Sequence, residues 1–177
     1  LLMGDTNIQH REKPEEAFSE LIPTFNEADL KFVNLEGPFA GAENDLSKTS
    51  IPHKNWSHSN PDQVQALTEA EIDGVGVANN VTYPWQDMLK SNEVLTKVGI
   101  PFSGGGMSKL EAEKPIIIEK NGVKVAFVQY ATTVYPTNHA ATEIQPGLAG
   151  IKVHTAYQAP ANLDKPGQPP IVLTWLD

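Results

Sequence analysis

The sequence predicts an α/β fold of layered helices and strands, with a hairpin adding antiparallel character. Three observations carry that expectation. Short apolar runs alternate with helical stripes in the order β-α-β-loop-α-β-α, the pattern of layered α/β domains. Three of the runs end on an oxygen-bearing side chain: Met3-Gly4-Asp5, Phe32-Val33-Asn34-Leu35-Glu36-Gly37 and Val75-Gly76-Val77-Ala78-Asn79-Asn80. Beyond them, Lys120-Asn121-Gly122 separates two β-rich runs and reads as a hairpin turn, because Asn-Gly accepts the positive φ angles of a type I′ turn. The chain has 177 residues and no cysteine. It reads as one domain over residues 1–177. A domain near 150 residues buries roughly 68–70% of its unfolded surface, so a core forms without staples.

Each element has a local reason. Leu1-Leu2-Met3 reads as the last turn of a strand already in progress. Pro14 suits the first turn of a helix, Glu15 and Glu16 suit its positive end, and Ala17, Phe18, Leu21 and Ile22 supply an apolar face. Pro23 should end or kink it. Leu30 to Leu35 is the second strand. Residues 37–60 form a long polar loop, and Asn60-Pro61 then caps a helix carrying Val64, Leu67 and Ala70. Ile72 to Ala78 is the third strand. Pro84 to Val98 is a helix with Gly99 after its end, and Ser108-Lys109-Leu110-Glu111 fits a capping box. Ile116 to Glu119 and Val123 to Tyr130 flank the Asn-Gly turn. Residues 132–170 are proline-, alanine- and threonine-rich and are expected to be mostly loop. Ile171 to Asp177 is another strand-like run, cut at its polar tip, so both ends read as cuts through a larger fold.

Composition excludes some functions. With 13 basic and 22 acidic residues the net charge is −9. No Lys/Arg stripe reverses that sign locally, so nucleic acid is not an expected partner. No apolar run approaches the 18 or so residues of a transmembrane helix. The lack of cysteine removes thiolate metal sites and cysteine nucleophiles together. That absence does not decide compartment, because a domain of this size folds in a reducing or an oxidising one without disulfides.

The three strand tips carry the functional expectation. Open α/β sheets place ligands at the carboxyl ends of their strands. Three such ends would converge Asp5, Glu36 and Asn80, two carboxylates and an amide oxygen. These are hard donors suited to Mg, Mn or Ca and tolerated by Zn or Fe; the competing reading is that strand-end polar residues simply start turns. His10 lies in the loop after Asp5 and is a candidate ligand or proton carrier, although a solvated loop histidine is the plainer reading. His53, Lys54, Trp56 and His58 form a polar-aromatic set that could contact an anionic substrate; the alternative is a solvated loop with Trp56 pinned to the body. Gly104-Gly105-Gly106, before the Ser108 helix start, could cradle an anion or serve a plain crossing between elements.

Taken together, the segments resemble the CapA, or poly-γ-glutamate capsule-synthesis, family. The resemblance is carried by Gly4-Asp5, by Ala28 through Gly37, by Val77-Ala78-Asn79-Asn80, by Leu95 through Glu111 with its Gly-Ile-Pro-Phe-Ser-Gly-Gly-Gly text, and by Lys114 through Tyr130. It implies a fold similar to the calcineurin-like metallophosphoesterases, an α/β/β/α sandwich of which residues 1–177 would be an N-terminal portion. It also implies a divalent metal site, up to two ions of Mn, Fe, Zn or Mg. Asp5 matches the first metal-binding aspartate, Glu36 stands where a bridging carboxylate is used, and Asn80 matches the asparagine ligand. Asn34 and Asn79 would orient those ligands. The implied activity is hydrolysis of a phosphoester or amide-type bond in a small-molecule or polymer substrate. Two departures stand out. Val81 occupies the position where many members carry histidine, and the later histidine elements of the family are not in residues 1–177, so a remaining C-terminal half is the expected source of imidazole ligands. A non-catalytic accessory of polymer biosynthesis or export, keeping the fold without the chemistry, is the alternative.

Overall fold

The computed structural model describes residues 1–41, 57–132, 140–159, 167 and 169–176. Its centre is a four-stranded parallel sheet in the order β1 (Leu2–Thr6), β2 (Phe32–Leu35), β3 (Gly74–Gly76) and β4 (Phe102–Ser103). The chain crosses from strand to strand through short helical segments: α1 (Ile22–Phe25), α2 (Gln65–Glu69) and α3 (Trp85–Lys97). The α/β expectation holds. Helix α3 fills the predicted span, and Gly99 follows it at φ 77°, the left-handed conformation that ends helices. The turn before α2 is closed by a reciprocal capping box between Asn60 and Gln63. No helix among the described residues is long and apolar enough to cross a membrane.

The remaining elements are small. Strand β5 (Gly105–Gly106) is followed by α4 (Lys109–Ala112), where the Ser108 hydroxyl accepts the Glu111 N–H. Strands β6 (Ile116–Lys120) and β7 (Val123–Phe127) make the predicted hairpin, closed by Lys120 opposite Val123 with Asn121 and Gly122 both at positive φ. Strand β8 (Gly147–Leu148) pairs antiparallel with β5, and β9 (Val153–Gln158) pairs antiparallel with β10 (Ile171–Leu176).

Two expectations are corrected. The helix from Pro14 is instead two 3-10 turns, Pro14–Glu16 and Ser19–Leu21, running into the single turn of α1. Pro23 sits in the first turn of α1, where its missing N–H costs nothing, so it opens a helical turn where it was expected to stop one. The described part of the stretch after 132 is mostly loop, as expected, with two strands in it, β8 and the exposed β9, whose pattern is too weakly apolar to announce itself. The three glycines after Ser103 mark close packing. A Cβ on Gly105 would lie 2.6 Å from Met88 Sδ, and one on Gly106 would lie 2.5 Å from Glu111 Cβ.

Strand alternation divides the sheet into two faces. Val33, Leu35, Val75 and Val77 point to the helical side and join Phe25, Leu67 and Leu95 in the main core. Phe32, Asn34, Gly74 and Gly76 therefore point to the other side, which the β6–β7 hairpin covers. There Phe32 stacks on Phe127 with centroids 4.6 Å apart. Phe32 also lies over Gly74, where a Cβ would come within 2.7 Å of its ring. One step along the strands, Asn34 pairs with Gly76 in the same register. The layer changes from apolar to polar as the strands reach their carboxyl ends.

Candidate functional site

The polar layer begins with a bulge. Leu2 is opposite Phe32 but Asp5 is opposite Asn34, so β1 spends one more residue than β2 over the same interval. A one-residue shift reverses the face a strand presents. Met3 therefore joins the helical-side core while Asp5, two residues on, lies beside Asn34.

Around Asp5 the amides form a directed chain. The Ala78 N–H donates to Gln129 Oε1 at 2.8 Å, and Gln129 Nε2 donates to Asn34 Oδ1 at 2.6 Å. Asn34 Nδ2 then donates to Asp5 Oδ1. A second arm starts at the Val81 N–H, which donates to Asn79 Oδ1 at 3.0 Å, and Asn79 Nδ2 donates to the same Asp5 oxygen at 3.4 Å. A backbone N–H can only donate, so each arm has its polarity set at its origin. Both deliver N–H groups to Asp5, which stabilises a carboxylate. Asp5 Oδ2 receives no hydrogen bond from a described residue.

These groups line an open polar cleft of about 470 Å³ together with Asn80, Tyr130 and Thr132. The structure thus brings Asp5, Asn34, Asn79 and Asn80 together. Gln129 is the member that sequence reasoning missed. Its signal was a lone amide ending the apolar run Val125 to Val128, the same pattern that marked the three strand tips. Glu36 is half-buried just past β2, its N–H bonded to Thr6 O at 2.9 Å, and it is not among the residues lining the cleft. His10 does not join it either. It is exposed at φ 62°, with Nε2 3.0 Å from Ser57 Oγ. The Ser57 hydroxyl has one proton and donates it to Gln9 Oε1 at 3.0 Å, so His10 Nε2 is the donor to Ser57.

His58 requires a correction. Proposed as a substrate contact, it is buried, its side chain only 1% exposed. Nε2 bonds the Tyr83 carbonyl and lies 3.7 Å from Asp87 Oδ2. A carbonyl accepts only, so Nε2 carries the proton, and Nδ1 has no hydrogen-bond partner among the described residues. Burial holds the His58 pKa below its ordinary value, against the raising influence of the Tyr83 carbonyl and Asp87. It is an interior residue. His53, Lys54 and Trp56 lie outside the described residues.

The donor set decides what ion would fit. Asp5 and Asn80, which both line the cleft, carry hard oxygen donors of the kind that suit a Mg²⁺-, Mn²⁺- or Ca²⁺-like ion that keeps several waters. Among the described residues no group of three His, Asp or Glu is placed to hold a metal.

No curated protein matches the chain in sequence. Residues 1–168 do match the family described as bacterial capsule synthesis protein PGA_cap. With that match spanning nearly its whole length, and with Asp5 and Asn80, though not Glu36, lining one cleft, the chain belongs to the bacterial capsule synthesis protein family.

Proposed function

We propose that this chain is a cation-dependent, hydrolase-like domain of capsule synthesis, built on a metallophosphoesterase-type layered sandwich, whose Asp5 and Asn80 hold one divalent ion at the carboxyl edge of the parallel sheet. The observation that carries this reading is the convergence of two amide arms on a single oxygen of Asp5, a residue that lines an open polar cleft. When bound, a divalent ion would polarise a phosphoryl or carbonyl oxygen and acidify a water. The chain's own contributions are separable from that chemistry. Asn34 and Asn79 fix the rotamer of Asp5. Asn80 offers a neutral oxygen to the ion. Tyr130 and Thr132 supply cleft-side hydroxyls that could orient an anionic or amide substrate.

One carboxylate among neutral donors makes a weak site, with a dissociation constant on the order of 10⁻⁴–10⁻³ M, the range of sparsely charged Ca²⁺ modules. The test is Mn²⁺ titration by calorimetry, followed by turnover assays on an aryl phosphoester and a γ-glutamyl anilide with and without Mn²⁺. One equivalent bound and Mn²⁺-dependent release of either chromophore are expected. Absence of Mn²⁺ binding to the folded protein removes the reading.

Val81 favours a second reading, a non-catalytic accessory of polymer synthesis or export. Where many relatives place a histidine, Val81 is 1% exposed in the core and reaches the cleft residues only through its N–H, which donates to Asn79. Stoichiometric Mn²⁺ binding without turnover of either reporter selects this alternative.

A further inference from the structure

We propose that Gln129, laid over Gly76, is the positioning residue of the cleft: its carboxamide fixes which way round Asn34 sits, and so makes Asn34 present N–H to Asp5 in place of oxygen. Two independent observations support the assignment. The first is the hydrogen-bond chain, in which Ala78 N–H dictates the orientation of Gln129, and Gln129 dictates that of Asn34. The second is the space that admits it. A Cβ on Gly76 would fall far inside contact distance of Gln129 Oε1 and Cδ, so the amide can lie flat on β3 only because residue 76 has no side chain.

The neighbouring layer shows that this arrangement is not needed for packing. Phe32, Gly74 and Phe127 occupy the equivalent places one step down the strands and are wholly apolar. Replacing a matched hydrogen-bonded set by apolar groups of the same shape is close to neutral for stability. The polar layer must therefore be explained by what it does to Asp5. With Gln129 absent, the Asn34 amide is free to turn over. Its oxygen would then face a carboxylate, pushing Asp5 off its position.

What the positioning serves rests on the proposed cation site, but the positioning itself can be tested without it. The variants are Gln129→Met, Gly76→Ala, Gln129→Ala and the double variant Gly76→Ala/Gln129→Ala. For each, the Asn34 side-chain NH₂ signals are followed by ¹H–¹⁵N NMR, Mn²⁺ affinity by calorimetry and thermal midpoint by calorimetric scan. Gln129→Met is expected to displace the Asn34 signals and weaken Mn²⁺ binding about 10- to 100-fold, the usual cost of losing a group that orients a ligand. Gly76→Ala is expected to do the same, because only the end of a flexible side chain must move to admit the methyl group, and the protein folds. In the Gln129→Ala background Gly76→Ala should add no further change, since the atoms it would strike are gone.

Unmoved Asn34 signals in both Gln129→Met and Gly76→Ala overturn the proposal, as does a lowered thermal midpoint with Mn²⁺ affinity intact within twofold. If the wild-type protein binds no Mn²⁺ while the Asn34 signals shift in both variants, the cation site fails and the positioning role of Gln129 stands.

Discussion

At the scale of single residues, Asp5 gives the cleanest test of charge against shape. An asparagine there keeps an oxygen for the Asn34 and Asn79 donors and deletes only the charge. Asp5→Asn should lower Mn²⁺ affinity at least about tenfold while changing stability by less than about 0.5 kcal/mol, because the side chain is exposed. Calorimetric titration and urea unfolding measure the two. His58 predicts a pH dependence instead. Its folded pKa lies below the unfolded value near 6.5, so below that pH the unfolded chain takes up a proton that the folded chain refuses. The stability it contributes is complete above about pH 6.5 and drains away as pH falls towards the folded pKa, with a slope of at most about 1.4 kcal/mol per pH unit. Urea unfolding between pH 7.5 and 5 should show this loss, and His58→Gln should flatten it. An unchanged slope in the variant would assign the loss to other groups. Residue identities in the site were readable where a polar group ended a run next to a turn, as with Asp5, Asn79 and Asn80. Gln129 was hidden because its meaning depends on Gly76, distant in sequence, and on a register that sequence does not show.

At the scale of elements, backbone-determined features were legible and packing-determined ones were not. The Asn121-Gly122 turn, the Gly99 stop and the Asn60/Gln63 cap each follow from φ preference or from a local hydrogen bond, and each formed where expected. The Pro14 segment failed because its apolar spacing was helical but its turns form as separate short pieces, each with too few residues to offset helix nucleation. Glycines separate the same way. A methyl group added at Gly122 would meet nothing within 4 Å, but the residue sits at φ 77°, so its role is conformational. Gly122→Ala should then cost about 1–2 kcal/mol, the left-handed penalty of an L-residue, with no effect on Mn²⁺ affinity. Gly76→Ala should show the opposite profile. Urea unfolding beside Mn²⁺ titration distinguishes the two kinds of glycine, and equal profiles would refute the division.

At the scale of the whole molecule, one face of the parallel sheet builds the main core and the other carries the polar cleft. The α/β class was legible because buried strands read as apolar runs. The sharing of the second face between an apolar layer and a polar one was not, because it depends on where the β6–β7 hairpin docks. Net charge completes the picture: at −9 the molecule attracts cations at long range and repels anions. A weak cation site in such a field should therefore weaken further with salt, several-fold in dissociation constant between about 0.05 and 0.5 M NaCl. The site and the fold are also linked thermodynamically. An ion that binds the folded chain alone stabilises it by RT ln(1 + [L]/Kd), about 2.7 kcal/mol at one hundred times Kd. Diffuse screening by the same ion needs no carboxylate at residue 5, so the comparison is between wild type and Asp5→Asn in equal Mn²⁺. A rise of about that size in the wild-type unfolding free energy, absent from Asp5→Asn and reduced by NaCl, locates the linkage at the carboxyl edge of the sheet. An equal rise in both proteins would mean that the charge of the whole surface, and not the amide-held Asp5, is what the ion meets.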